Sequence, residues 1–386
     1  MLWKKQRCCL RIPSLPHDVV ELILERVPVK SLGRFKAVSK QWKSTIEDPF
    51  FQHRQLKQRQ QSGDPDVLMV SVHRSDDIDY KDMETLSTLV LGSTATVNIP
   101  IPWEKKIHLA SVGGCCGFLA SYGSCDGLVC LYSHFFAGFV VNPTTRWYRP
   151  LPLCQMQQLI ADLGLDAYMD LGHDFSNLGF GKDRFTGTYK PVWLYNSSEK
   201  ATTCEVFDFT TNAWRYVTPA APCRVVGPLD PVFVDGSLHW FTACEETKVV
   251  SFDHHTEAFH VICKAPFANV HPSKMGMCNL DDRLCVSEMK WPNQVIWSLN
   301  SGTKTWDKFC SIDLQVTSHW FGNLHGPLAP LTLFHGEEEK KMLFHNRGLS
   351  KTLLVHDLET GSYHAAFDAE SIGEPVCYFQ SLISIS

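Results

Sequence analysis

The sequence predicts a small all-α head followed by an all-β propeller of about six four-stranded blades. Three observations carry that prediction. Apolar residues between positions 12 and 55 recur at helical spacing. From Val67 onward they change to short apolar or alternating runs such as VLMVSV, LVCLY, LHWF and TLLVHDL, bounded by Gly, Asp, Asn and Pro. Within those runs one marker recurs five times, an Asp or Asn followed three residues on by Thr and six residues on by an aromatic.

In the head, Asp18 is a good N-cap, and Val19, Leu22, Ile23 and Val27 follow on one helix face before Pro28 stops the helix. After a short turn around Ser31 and Leu32, the residues Val38, Trp42 and Ile46, spaced four apart, mark a second periodic run ended by Pro49. Three short helices are expected, with Leu22, Ile23 and Trp42 in their core. So small a piece buries too little apolar surface to hold itself together well. It contains no cysteine and no set of metal ligands, which leaves a partner protein as the expected stabiliser. Residues 55–66 are polar and end in Gly63-Asp64-Pro65, the punctuation of a linker. The expected division is a basic tail at 1–11, the head at 12–55, a linker at 56–66 and the propeller at 67–386.

The order Leu15-Pro16-x-Asp18, Ile23-Leu24-x-Arg26-Val27-Pro28, Lys30-Ser31-Leu32, Val38-Ser39-Lys40-x-Trp42 and Asp48-Pro49-x-Phe51 closely resembles the F-box of plant F-box proteins. Val19 stands where that family commonly has Leu. The resemblance implies docking onto a Skp-type adaptor of a cullin ubiquitin ligase, with Leu15, Pro16, Val19 and Val38 at or beside the adaptor surface.

In the body the markers are Asn142-Thr145-Tyr148, Asp208-Thr211-Trp214, Asp253-Thr256-Phe259, Asn300-Thr303-Trp306 and Asp357-Thr360-Tyr363. Each reads as a hairpin whose Asp or Asn caps the turn and whose aromatic starts the returning strand. Asn142, Asp208, Trp214, Asp253, Asn300, Trp306 and Asp357 are therefore expected to be structural. A second turn precedes three markers, at Asp126-Gly127, Asp235-Gly236 and Asp281-Asp282, leaving room for a pair of strands between. Two hairpins per unit make a four-stranded sheet, and the marker spacings of 66, 45, 47 and 57 residues divide the body into about six units.

The pattern resembles kelch repeats and, more closely, the F-box-associated domain, through Asn142-Pro143-x-Thr145-Arg146 and Phe180-Gly181. It departs from kelch in lacking a regular double glycine, with only Gly113-Gly114 of that kind. The unit at 66–105 has no marker, which fits a shared blade closed by residues 67–72 and 376–385. Met156, Leu159, Ile160 and Leu163 predict an inserted helix within 151–175, either a binding element or a cover for a blade edge. The charged run 337–341 reads as a solvated hairpin tip.

The formal charge of -5 conceals an asymmetry, since residues 1–61 carry 13 Lys/Arg against 5 Asp/Glu. No aromatic-interleaved basic groove accompanies that charge, so an acidic protein partner is expected and nucleic acid is not. The 15 cysteines are scattered without C-x-x-C pairs and are expected as reduced thiols of a cytoplasmic and/or nuclear chain. Residues 1–11 lack the apolar core of a secretory signal, Cys8-Cys9 belongs to a frayed basic tail, and no apolar run of membrane-spanning length occurs, so no membrane partner is expected.

His254-His255 lacks a carboxylate at metal-ligand spacing, and Cys115-Cys116 lacks a basic neighbour to activate a thiol. No catalytic residue, metal or cofactor is expected. The resemblance implies the non-catalytic substrate-recognition subunit of a Skp-cullin-F-box ubiquitin ligase, joined to a cullin through the adaptor and holding a protein substrate on the propeller. The alternatives are a non-degradative F-box interaction protein and a propeller lectin or enzyme.

Overall fold

A computed structural model describes residues 15–63, 65–72, 85–90, 96–100, 123–132, 134, 137–164, 177–197, 202–227, 229–324, 326–335, 340–347, 352–368 and 374–385. The basic tail, Gly113-Gly114, Cys115-Cys116, residues 165–176 of the insertion and most of the 337–341 run lie outside them. The chain divides into two compact units, Met1–Gly63 and Asp64–Ser386.

Four helices build the first unit: α1 (His17–Leu24), α2 (Val29–Phe35), α3 (Lys40–Glu47) and α4 (Pro49–Ser62). Pro16 and Pro28 occupy the N-cap positions of α1 and α2, which places Asp18 in the first turn of α1 and not at its cap. Ser39 Oγ accepts the Trp42 N–H at 3.1 Å to start α3. Asp48 accepts the N–H groups of Phe50 and Phe51 at 2.7 and 3.1 Å to start α4. The expectation of three helices ended by Pro49 is thereby corrected. A proline lacks the N–H that the first helical position does not use, so Pro49 behind the Asp48 cap opens a helix. Much of the expected linker is consequently helical, up to Ser62.

Leu24, Val29, Leu32, Ile46, Phe51 and Leu56 form the buried interior of this unit. Arg54 on α4 clamps α1 through Glu21 and Glu25, both at 2.9 Å.

The described strands of the second unit form six four-stranded antiparallel sheets. Five are built from consecutive strands. They are β4–β7 (Ser124–Cys125, Leu128–Leu131, Phe139–Asn142, Trp147–Pro150), β8–β11 (Gly179–Lys182, Tyr189–Asn196, Thr202–Asp208, Ala213–Val217), β12–β15 (Val232–Val234, Ser237–Phe241, Lys248–Asp253, Phe259–Lys264), β16–β19 (Met275–Leu280, Arg283–Lys290, Asn293–Asn300, Thr305–Asp313) and β20–β23 (Leu328–His335, Lys340–Asn346, Thr352–Asp357, Tyr363–Asp368). The sixth is composite, in the order β24-β1-β2-β3, from β1 (Asp66–Val72), β2 (Thr85–Val90), β3 (Thr96–Pro100) and β24 (Glu374–Tyr378). The C-terminal strand thus lies antiparallel beside the first, with Val67 opposite Cys377 and Leu68 opposite Val376.

Apolar clusters fill the spaces between successive sheets. Trp240 on β13 joins Val192, Leu194 and Val206 of the preceding sheet, whereas its neighbour Phe241 joins Met275, Met277 and Val286 of the following one. Period-two alternation therefore sends adjacent residues to opposite faces, and both faces are covered. The next cluster joins Ile296 and Ile312 to Leu328, Met342 and Phe344. Val67 of the composite sheet packs on Leu343, Leu353 and Val355.

The predicted insertion contains α5 (Gln155–Leu163), with Met156 and Ile160 buried but Leu159 and Leu163 exposed. Its N-terminus sits on the buried carboxylate of Glu205, which accepts from Gln155 N at 2.9 Å, Met156 N at 3.2 Å and Tyr195 Oη at 2.9 Å. Negative charge at that helix end is favourable, even though burial raises the Glu205 pKa. A further helix, α6 (Leu314–Phe321), lies between β19 and β20, with Asp313 accepting from Gln315 and Val316 at 2.8 and 3.1 Å.

Burial also sets how the body responds to acid. Desolvation lowers the imidazoles of His239 and His254 to about 4 and that of His345 to about 3, against an ordinary 6.5. His254 is wedged edge-on against Phe233 and Phe252, and neither ring nitrogen has a partner among the described residues. Below pH 6.5 the unfolded chain takes up protons that these folded imidazoles refuse, so stability is lost as pH falls. Each group contributes a slope of about 1.4 kcal/mol per pH unit. Thermal melts should show the steepest loss between pH 6.5 and 4, and His345→Gln should flatten it.

Candidate partner-binding surfaces

The marker residues are brought together as turn caps. In each hairpin the Asp or Asn Oδ1 accepts two backbone N–H groups, two and three residues on. Asn142 takes Thr144 and Thr145 at 2.9 and 3.3 Å, Asp208 takes Thr210 and Thr211 at 2.7 and 3.4 Å, and Asp253 takes His255 and Thr256 at 2.9 and 2.7 Å. Asn300 takes Gly302 and Thr303 at 3.0 and 3.2 Å, and Asp357 takes Glu359 and Thr360 at 3.0 and 2.9 Å. One residue later the backbone turns left-handed, at Arg146, Asn212, Glu257, Lys304 and Gly361. The earlier turns at Asp126-Gly127, Asp235-Gly236 and Asp281-Asp282 have positive φ at both positions, the two-residue hairpin type whose twist suits the flanking strands.

The marker aromatics do more than pack. Trp214 and Trp306 are half-buried, and their indole N–H groups donate at 2.7 Å to the carbonyls of Pro152 and Lys264, beyond or at the end of the outer strand of the preceding sheet. Tyr363 Oη accepts the Asp313 N–H at 2.9 Å in the same sense. Asn142 is buried, and its amide donates to Ser381 O at 3.0 Å, Ser381 Oγ at 3.2 Å and Ile383 O at 2.9 Å, fastening the chain's last residues to β6.

A sixth copy was not among the five. Asp183-Thr186-Tyr189 follows the same rule, with Asp183 accepting from Phe185 and Thr186 at 2.8 and 3.2 Å and Gly187 at positive φ. It caps the first turn of its sheet and not the third, so it breaks the repeat period that a search at fixed spacing follows.

In a four-stranded meander the first and third turns lie at one end and the second turn and outgoing connection at the other. Ion pairs spanning sheets crowd the capped end. Asp126 accepts from Lys182 and Tyr189 at 2.6 and 2.7 Å, Arg184 pairs with Asp235, Lys190 and Arg215 share Glu257, and Lys340 pairs with Asp281. The other end carries the longer connections and, among the described residues, a recess of about 490 Å³ lined by Met289, Trp291, Ser318, Gly322, Asn323 and Leu324. Trp291 there is 62% exposed.

In the head, Leu15, Val19 and Val38 are 59%, 39% and 61% exposed, and Pro16 is exposed beside them. Leu22 and Ile23, expected in the core, are 52% and 50% exposed, which corrects that expectation. They continue the apolar face of α1 that begins at Val19, while Leu24, one residue on, turns into the interior of the four-helix unit. Trp42 is half-buried, its ring edge-on to Phe35 at 5.6 Å, and so borders the core without filling it. The result is a largely uncovered apolar set on a small basic module.

A four-helix head with an unpartnered apolar face, ahead of a body of sandwiched four-stranded sheets, defines the F-box class followed by a β-propeller. Residues 12–54 match the family model of the F-box domain, and residues 119–385 match that of the F-box associated beta propeller domain. The chain belongs to the plant F-box proteins with a C-terminal F-box-associated domain. It is 63% identical to the F-box/LRR-repeat/kelch-repeat protein At1g09650 of Arabidopsis thaliana, over 99% of this chain and 100% of that one. It is 47% identical to the F-box protein At2g34280, over 96% and 99%, and 50% identical to the F-box protein At5g10340, over 96% and 84%, both of the same plant.

The caps differ in burial, and mutation should reveal it. Asp253→Ala leaves two N–H groups at an exposed turn and should cost on the order of 1 kcal/mol. Asn142→Asp removes buried donors and sets a carboxylate among three oxygens, which should cost roughly 2–4 kcal/mol. Urea denaturation of both variants checks the order.

Proposed function

We propose that the chain is the non-catalytic substrate-recognition subunit of a Skp-cullin-F-box ubiquitin ligase, working in the cytoplasm and/or nucleus. The observation that carries the proposal is the apolar set Leu15, Pro16, Val19, Leu22, Ile23 and Val38, left in water on a head whose own core is small. A Skp-type adaptor laid on that set removes it from water and brings a cullin with it. The excess of Lys and Arg over Asp and Glu in residues 1–61 favours an acidic partner. The body holds a protein substrate on the end away from the capped turns, where connections vary without disturbing the sheets. The chain then supplies effective concentration and orientation to a conjugating enzyme bound elsewhere in the complex.

The same proposal takes the composite sheet as the sixth blade of one closed ring. Its supports are the packing of Val67 on the β20–β23 sheet and the bond from Ser124 Oγ to Cys377 O beside β4.

Co-precipitation from plant extract tests the adaptor half. Ile23→Asp and Val38→Asp each bring a charge to the apolar set, so recovery of Skp-type adaptor and cullin should fall at least about tenfold, equivalent to ~1.4 kcal/mol. Thermal stability should stay within about 0.5 kcal/mol, because both side chains are exposed. Undiminished recovery by both variants would rule out this face. Deleting residues 12–62 should abolish recovery and raise the yield of substrate captured by the body.

A further inference from the structure

Two thiols meet at the end of the body away from the capped turns. Cys223 lies in the connection from β11 to β12, and Cys244 in that from β13 to β14. Near them Val225 and Thr242 pair as an isolated antiparallel bridge. Val226 N–H donates to Phe241 O at 2.9 Å and Ala243 N–H to Arg224 O at 2.8 Å, so these bonds flank the 225/242 pair, which is of the non-hydrogen-bonded kind. Continued two residues outward, that register sets 223 opposite 244 as the next pair of the same kind. In a regular ladder the Cα atoms of such a pair approach to about 4.5 Å, within the roughly 4.4–6.8 Å that a disulfide spans. Both thiols are free, and Cys244 lies near enough to Cys223 to raise its pKa. Cys244 is exposed and Cys223 half-buried.

We propose that Cys223 and Cys244 form a redox site that a hydroperoxide oxidises reversibly to an intramolecular disulfide. The Cys244 thiolate, its proton released to water, attacks the peroxide. The O–O bond breaks, an S–O bond forms, and the departing oxygen takes a proton to leave as alcohol or water. The Cys223 sulfur then attacks the Cys244 sulfur of that sulfenic acid. An S–S bond forms, the S–O bond breaks, and hydroxide leaves with the Cys223 proton as water. Two thiols have lost two electrons and two protons, and the hydroperoxide has gained them.

The order of attack follows from the surroundings. Burial, with Cys244 adding to it, raises the Cys223 pKa, and Lys248 opposes the rise. Solvent reaches Cys244 first, so it meets the oxidant and Cys223 resolves it. Among the described residues the other cysteines lack this combination. Cys278 and Cys285 also face each other, across β16 and β17, but Cys285 is buried, as are Cys125, Cys130, Cys154 and Cys204. The bond would tie the β11–β12 connection to the β13–β14 connection and narrow the conformations of that rim.

The test exposes the reduced full-length chain to equimolar hydrogen peroxide, blocks remaining thiols with N-ethylmaleimide and maps the digest by mass spectrometry. The expected product is one cross-linked peptide pair joining Cys223 to Cys244, about 2 Da lighter than its two reduced parts and reversed by dithiothreitol. Its formation should raise the melting temperature by at least ~2 °C. Cys244→Ser, a change at an exposed position, should abolish both effects. Cys223→Ser should leave a Cys244 sulfenic acid that dimedone captures. Oxidised Cys244 beside fully alkylated Cys223 in the unaltered chain would overturn the proposal. So would a cross-link to any other cysteine, or no reaction at either thiol.

Discussion

A sheet that is apolar on both faces cannot stand in water unless another sheet covers each face, and the body is arranged around that constraint. Adjacent residues of one strand serve different neighbours, as Trp240 and Phe241 do from β13. On β17, Leu284 and Val286 join the cluster on one side and Cys285 that on the other. A row of such sheets would leave an uncovered face at each end, and pairing β24 with β1 gives the last sheet strands from both chain ends. Asn142 then fastens the residues beyond β24 to the first consecutive sheet through its two amide N–H groups, shared among three oxygens, which a carboxylate cannot supply.

The turns concentrate side-chain capping of the backbone at one end of the body. At one end side chains satisfy the backbone at each described marker turn, and ion pairs join neighbouring sheets, so polar groups there are already engaged. At the other end the connections are longer, and Trp291 and Cys244 stand exposed. Change can accumulate at this second end without unsettling the hydrogen-bond system of the first, which is the condition a variable binding surface requires.

The head follows the opposite logic. Six buried apolar residues and an Arg54 clamp hold four short helices together, while an apolar face of comparable size is left outside. The body is thus covered by its own packing, whereas the small head leaves apolar surface in water.

What the sequence by itself determined was local. The Asp/Asn-x-x-Thr-x-x-aromatic spacing specifies a capped turn because cap and acceptor groups lie within three residues of each other, and all five copies adopt it. Helical periodicity placed α1 and α5, and the paired-acid or Asp-Gly turns placed their hairpins, for the same reason. Tertiary structure alone decided matters between distant residues. Leu22 and Ile23 have the periodicity of core residues, yet periodicity identifies an apolar face without saying what covers it, and among the described residues nothing else in the head does. The indole bond from Trp214 to Pro152 spans 62 residues, and the meeting of Cys223 with Cys244 depends on a single bridge between two connections. No local preference encodes such contacts, because they exist only once the sheets have been set side by side.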